Sequence, residues 1–186
     1  AYLPGNRGAV PEHWDPRVNK VLEIYSEHGN AESDEGSLDY IRHSMGGRCS
    51  PNTLQALLEY GHRVGVLASS DDHLGHPGAY GEGLAVILAP ELNRKTLFGS
   101  LDKRLCYGVT GDRIRVNFAV NGQAMGSELS YTDERRIAVE VEGWDTVEKV
   151  EIIKNNRVIH REHPADSAPG ANPFARPVVV RLEYGW

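Results

Sequence analysis

The run Val66-Leu67-Ala68-Ser69-Ser70-Asp71-Asp72-His73-Leu74-Gly75-His76-Pro77-Gly78 starts apolar and turns abruptly into acids, imidazoles and glycine. Asp71 and His73 stand two apart, so on an extended backbone both side chains point to one side. A carboxylate and an imidazole side by side at the end of a buried strand suit a divalent metal such as zinc, manganese or iron. His76 follows within reach, and Gly75 and Gly78 let the loop fold back. Two donors do not make a site by themselves, and a polar loop with a local Asp–His hydrogen bond accounts for the same pair.

A second polar cluster follows another apolar run. Val18–Ser26 reads as a short buried strand carrying Glu23, and it continues into Glu27-His28-Gly29-Asn30-Ala31-Glu32. Folds of the α/β class gather their chemistry at the carboxyl ends of parallel strands. If these two strands are neighbours, Glu23 and His28 converge with Asp71, His73 and His76 on one metal site. The competing readings are a buried Glu23 paired with Arg7 or Arg113, and a His28 that caps a loop or helix. Arg113, after Thr110-Gly111-Asp112, is placed either to bind an anion in the same cleft or to make an inter-domain salt bridge. His13, His43, His62, His160 and His163 read as surface or structural. There is no Gly-x-Ser-x-Gly elbow and no phosphate-cradling loop, and Cys106 has no histidine near it in sequence to activate a thiol.

The elements that must position these groups follow from local signals. Residues 1–17 read as a loop, with a helix around Leu38–Ser44 further on. Ser50-Pro51 starts a helix whose Leu54, Leu57 and Leu58 form an apolar face and whose end is Gly61. Val64–Ala68 and Leu84–Leu88 read as strands, and Asn93 caps a second helix to about Arg104, with Leu97 and Leu101 inward. This alternation argues for α/β packing. After about Thr110 the period changes to two. Ile114–Val120 and Ile137–Val141 alternate, Asn121-Gly122 is a hairpin turn, and Val147–Lys154 pairs with Arg157–Arg161 across Asn155-Asn156. With a last strand at Pro177–Tyr184, these suggest a β-sandwich.

Composition narrows the partners. The 186 residues carry 20 Lys and Arg against 26 Asp and Glu, a net charge of −6. No basic stripe appears, which argues against nucleic acid and anionic membrane. No apolar run approaches the roughly 20 residues of a membrane span. Two cysteines make neither a disulfide framework nor a metal knuckle and leave the compartment, cytoplasm or periplasm, open.

Ser70-Asp71-Asp72-His73 resembles the Ser-Asp-x-His signature of PHP-type (polymerase and histidinol phosphatase) metal-dependent hydrolases, and Val21-Leu22-Glu23-Ile24-Tyr25 resembles their Glu-Val-Tyr strand. More closely, AYLPGNRG, EIYSEHGNAE, ASSDDHLGHPGAYGEGLA, LCYGVTGDRIRVNF, VNGQAMGSEL and LEYGW resemble a PHP-like subfamily of unknown function. The resemblance implies an α/β fold: the C-terminal part of a distorted (β/α)7-type barrel over residues 1–112, followed by a small antiparallel β-sandwich-like domain over 113–186. It implies Asp71 and His73 as metal ligands, Glu23 and His28 lining or completing the site, and a metal-activated water acting on a small-molecule substrate such as a phosphate ester. The His-x-His and other ligands such hydrolases use are not in this sequence. The chain therefore reads as part of a longer hydrolase, inactive alone and able to self-associate through exposed barrel edges. The alternative is a non-catalytic binding or accessory module on the same scaffold.

Overall fold

The computed structural model describes residues 9–33, 50–79 and 81–164. The chain divides into two compact units, Ala1–Trp144 and Asp145–Trp186. In the first, β1 (Val21–Ser26) and β2 (Gly29–Asn30) form a hairpin, and β3 (Gly65–Ala68) lies parallel to β1 on its other side, with Val21 opposite Gly65 and Glu23 opposite Leu67. The chain reaches β3 through a 3₁₀ turn, Ser50–Asn52, and α1 (Leu54–Glu59). Then β4 (Leu84–Ile87), α2 (Arg94–Asp102) and β5 (Cys106–Val109) follow, and β4 and β5 pair antiparallel from Leu84↔Val109 to Ile87↔Cys106. A third sheet has β6 (Arg115–Val120) between β7 (Gln123–Ala124) and β8 (Ile137–Glu142), all antiparallel. In the second unit β9 (Val150–Lys154) and β10 (Arg157–Glu162) form an antiparallel hairpin.

This overturns the expected fold class. The described residues form small, mostly antiparallel sheets with two short α-helices, and they contain no (β/α)7-type barrel and no α/β layering. Strand–helix–strand order was the basis of the expectation, but that order does not fix strand direction. Across β4–α2–β5 the four-residue strands run in opposite directions, and only β1 and β3 are parallel. Of the strands expected in the β-sandwich-like domain, β6 and β8 lie with β7 in one antiparallel sheet of the first unit, and β9 and β10 form the hairpin of the second. Open barrel edges for self-association are accordingly not a feature of the described residues. No helix among them is long and apolar enough to cross a membrane. The expected helix at Leu38–Ser44 and strand at Pro177–Tyr184 lie outside the described residues.

Among the described residues, the buried apolar residues include Leu54 and Leu57 of α1, Ala68 of β3, and Cys106 and Val109 of β5. Close backbone approach makes this packing possible. A Cβ on Gly108 of β5 would lie 2.7 Å from the Ala68 nitrogen, so only glycine lets β5 lie against β3 there. Burial pushes the Cys106 thiol above its ordinary pKa. In a Cys49→Ser background, Cys106 should therefore react with a disulfide probe at least about tenfold more slowly in folded than in urea-unfolded protein. Equal rates would show that β5 does not shield it.

Candidate metal centre

The two parallel strands hold together beyond their formal ends. The Ser69 N–H donates to the Tyr25 carbonyl at 3.0 Å, and the Glu27 N–H donates to the Ser70 carbonyl at 3.0 Å. Each strand then turns away. After β1 the turn is a two-residue loop, Glu27-His28, between Ser26 and its partner Gly29, whose φ of +101° is one that glycine adopts freely. After β3 the backbone kinks at Asp71, which has φ +48°. A third segment crosses both exits. A Cβ on Gly83 would stand 2.5 Å from the Ser69 carbonyl oxygen and 2.8 Å from that of Tyr25. This places Glu82 beside the same strand ends.

The side chains delivered there converge. His28 Nε2 lies 3.3 Å from His73 Nε2. Asp71 reaches both rings, Oδ2 to His28 Nε2 at 3.0 Å and Oδ1 to His73 Nε2 at 3.4 Å. Glu27 Oε1 lies 3.6 Å from His28 Nε2 and 3.8 Å from His73 Nε2. Ligand atoms of Glu27, His28 and His73 all fall within 4.8 Å of one another. Donors on one metal at bonds of about 2.1 Å stand about 3.0 Å apart on an octahedral edge and about 3.4 Å apart on a tetrahedral one. The observed spacings start at those edges and exceed them by a few tenths of an ångström for Glu27. The rings meet edge to face, with centroids 4.9 Å apart. The His28 side chain is 13% exposed, whereas that of His73 is 60% exposed. One imidazole is thus held by the fold and the other is reached from solvent.

A second layer of acid surrounds these donors. Asp72 Oδ1 accepts the N–H of Leu74 at 2.5 Å and of His76 at 3.3 Å. Loss of solvent acts to raise the Asp72 pKa, but those backbone donors, with Gly75 and the His76 ring, outweigh it and hold the carboxyl below its ordinary value. Glu82 is pushed the other way, first by loss of solvent and then by the charges of Asp72 and Glu27 and a carboxyl contact with Asp72. Its Oε2 is shielded from solvent and has no hydrogen-bond partner.

Asp71, His73 and His28, all singled out in the sequence, meet in this cluster. Glu23 does not supply a donor to it. Its carboxylate accepts the Ser69 hydroxyl, and so ties β1 to the start of the metal-site loop; Arg7, one of its two expected partners, lies outside the described residues. His76 lies against Asp72. Arg113 is exposed on the connection from β5 to β6. Gly111 of that connection packs on Gly81, since a Cβ there would lie 3.2 Å from the Gly81 Cα, so the Arg113 segment borders the Glu82 segment. Sequence reasoning passed over Glu27 and Glu82. Glu27 precedes His28 in a two-residue hairpin loop, and Glu82 stands between two glycines just before β4, a setting where close backbone passage is common. Of the other histidines, His62 shares a hydrogen bond with the Pro11 carbonyl at 2.8 Å, and His160 pairs with Glu162 at 3.0 Å. His43 lies outside the described residues.

No family model matches the chain, and no solved structure does. It is similar to a protein of Chlamydia trachomatis serovar D, 30% identical over 168 residues, and to one of Chlamydia muridarum, 28% identical over 169 residues. It is also similar, at 29% identity over 170 residues, to one of Chlamydia pneumoniae. Each of the three is named as an uncharacterized protein, and each match covers 82% of this chain and 27% of the relative. The chain thus spans about a quarter of the length of these relatives.

Proposed function

We propose that the cluster at the ends of β1 and β3 is the divalent-cation site of a metal-dependent hydrolase, of which this chain forms part. One observation carries the reading: two imidazole nitrogens 3.3 Å apart, both flanked by one carboxylate at 3.0 and 3.4 Å. Nitrogen and carboxylate donors in that mixture fit zinc, manganese or iron. The shielded, unpartnered Glu82 Oε2 fits a site that expects a positive charge. The resemblance of Ser70–His73 to the Ser-Asp-x-His signature of PHP-type hydrolases supports the same reading. So does the nearness of four acids, Glu27, Asp71, Asp72 and Glu82.

A bound divalent cation would supply an activated water and polarise a phosphoryl or similar oxygen. The chain's own residues would do the rest. His28 and His73 would hold the ion through Nε2 and Glu27 through a carboxylate oxygen, with the Asp71 carboxylate, which reaches both rings, as a further donor. Arg113, on the bordering loop, meets the anionic group of a small substrate such as a phosphate ester. Ligands and substrate contacts beyond these belong to the longer protein, so this chain alone binds metal without turnover.

Metal content after dialysis against zinc and then manganese tests this. Wild type should retain close to one ion per chain, and the His28→Ala/His73→Ala double variant should retain none. Equal metal in the two proteins would remove the site. Phosphoesterase assays on the longer protein then separate the readings: metal held with no turnover would favour a binding module.

A further inference from the structure

We infer that Asp72 is a positioning residue: its carboxylate oxygen holds the loop that aims His73 at His28, and metal affinity depends on that oxygen as a hydrogen-bond acceptor rather than on its charge. The inference rests on the metal-site reading. His73 is 60% exposed, so little packing constrains its ring, and the backbone direction at residue 73 decides where the imidazole starts. That direction is set by the loop that follows β3. Asp71 sits in the left-handed region, a conformation that needs support from its surroundings. The support comes from two side-chain latches. Ser70 Oγ accepts the Gly78 N–H at 3.1 Å and closes the loop end to end. Asp72 Oδ1 accepts the N–H of Leu74 at 2.5 Å and of His76 at 3.3 Å, directly on the far side of His73. The ligand is thus fixed between the left-handed turn at Asp71 before it and a latched turn after it. Asp72 Oδ1 is taken up by the Leu74 and His76 backbone N–H groups, whereas the carboxylate that reaches both rings is that of Asp71, and Glu82 faces Asp72. An asparagine at 72 keeps the acceptor oxygen and offers an amide N–H to Glu82.

Cobalt(II) titration of the full 186-residue chain, read by its visible absorption bands, tests this alongside thermal melting. Asp72→Ala should bind about 10–100-fold more weakly than wild type, as removal of a group that orients a ligand does, with an altered band pattern at saturation. Asp72→Asn should stay within about threefold of wild type and keep the wild-type bands. Ser70→Ala, which opens the other latch, should also weaken binding. Asp72→Ala within threefold of wild type would overturn the inference. So would an Asp72→Asn as weak as Asp72→Ala, since the charge would then be what matters. If Asp72→Ala does not fold, Asp72→Asn decides: wild-type affinity upholds the latch and a loss overturns it. Wild type that binds no cobalt would instead overturn the metal-site reading, and this inference with it.

Discussion

Alanine at position 83 should cost about 3 kcal/mol of folding stability, at the upper end of the usual cost of forcing extra volume into packed structure, and should weaken metal binding in the same protein. The added Cβ would stand 2.5 Å from the Ser69 carbonyl oxygen, 2.8 Å from the Tyr25 carbonyl oxygen and 2.9 Å from Ala68 Cβ. Two of these are backbone atoms, which cannot swing aside as a flexible side chain can. One of them, the Tyr25 carbonyl, accepts the Ser69 N–H that joins the exits of β1 and β3. Relief of the clash must therefore part those exits or lift the Glu82 segment away. Either movement displaces donors whose mutual spacing has to hold within a few tenths of an ångström. A control exists in the same chain. Gly99 lies inside α2 with nothing within 4 Å of its would-be Cβ, so Gly99→Ala should stabilise by about 0.5–1 kcal/mol through helix propensity alone and leave metal binding unchanged. Urea unfolding midpoints and cobalt titrations of both variants check the pair. Gly83→Ala with wild-type stability would mean that the 81–83 segment does not cross the strand ends as described.

What the sequence disclosed was mostly local. Asn93 caps α2, with its side chain accepting the Thr96 N–H at 3.0 Å. Asn121-Gly122 and Asn155-Asn156 each make the tight turn their composition calls for, with all four residues at positive φ. Such features depend on a few adjacent residues and survive any tertiary arrangement. Where two local signals compete, the reading slips by a turn. Ser50-Pro51 was expected to open a helix, but those residues form a 3₁₀ turn, and Thr53 caps α1 by accepting the Ala56 N–H. Sheet assembly is not local, and there the sequence misled. The helix between β4 and β5 looks the same in sequence whether the strands end up parallel or antiparallel.

The candidate site shows both outcomes at once. In the sequence, the alternation of a strand is what places Asp71 and His73 on one face. Yet β3 ends at Ala68, and Asp71 is in the left-handed region, so alternation does not apply to it. The two side chains converge on His28 where the backbone kinks at Asp71. The residues were legible from their types and closeness, and the reason they meet was not. Glu27 and Glu82 were missed because their nearness depends on a hairpin tip and on a glycine crossing, both tertiary facts.

The kink makes the last prediction separable from ligand loss. Asp71→Gly and Asp71→Ala both remove the carboxylate that reaches His28 and His73, so both should lose metal affinity by at least about 100-fold, more than removal of an orienting group alone costs. They should differ in the stability of the metal-free protein. A left-handed backbone costs an ordinary L-residue about 1–2 kcal/mol, while glycine adopts it without that cost. Glycine gives back about 0.5–1 kcal/mol through the greater freedom of its unfolded chain. The net expectation is that Asp71→Gly exceeds Asp71→Ala by about 0.5–1 kcal/mol, the loss of side-chain contacts being common to both and cancelling in the comparison. Aspartate tolerates this region better than alanine does, so wild type should fall near the glycine variant. Urea midpoints in the presence of a chelator measure this order. If the alanine variant equalled or exceeded the glycine variant, the left-handed conformation at residue 71 would be absent in solution, and the convergence of Asp71 and His73 would need another cause. If the order holds, the left-handed conformation at residue 71 is present in solution, and the Asp71 carboxylate is set toward His28 and His73 by a backbone that aspartate and glycine both adopt.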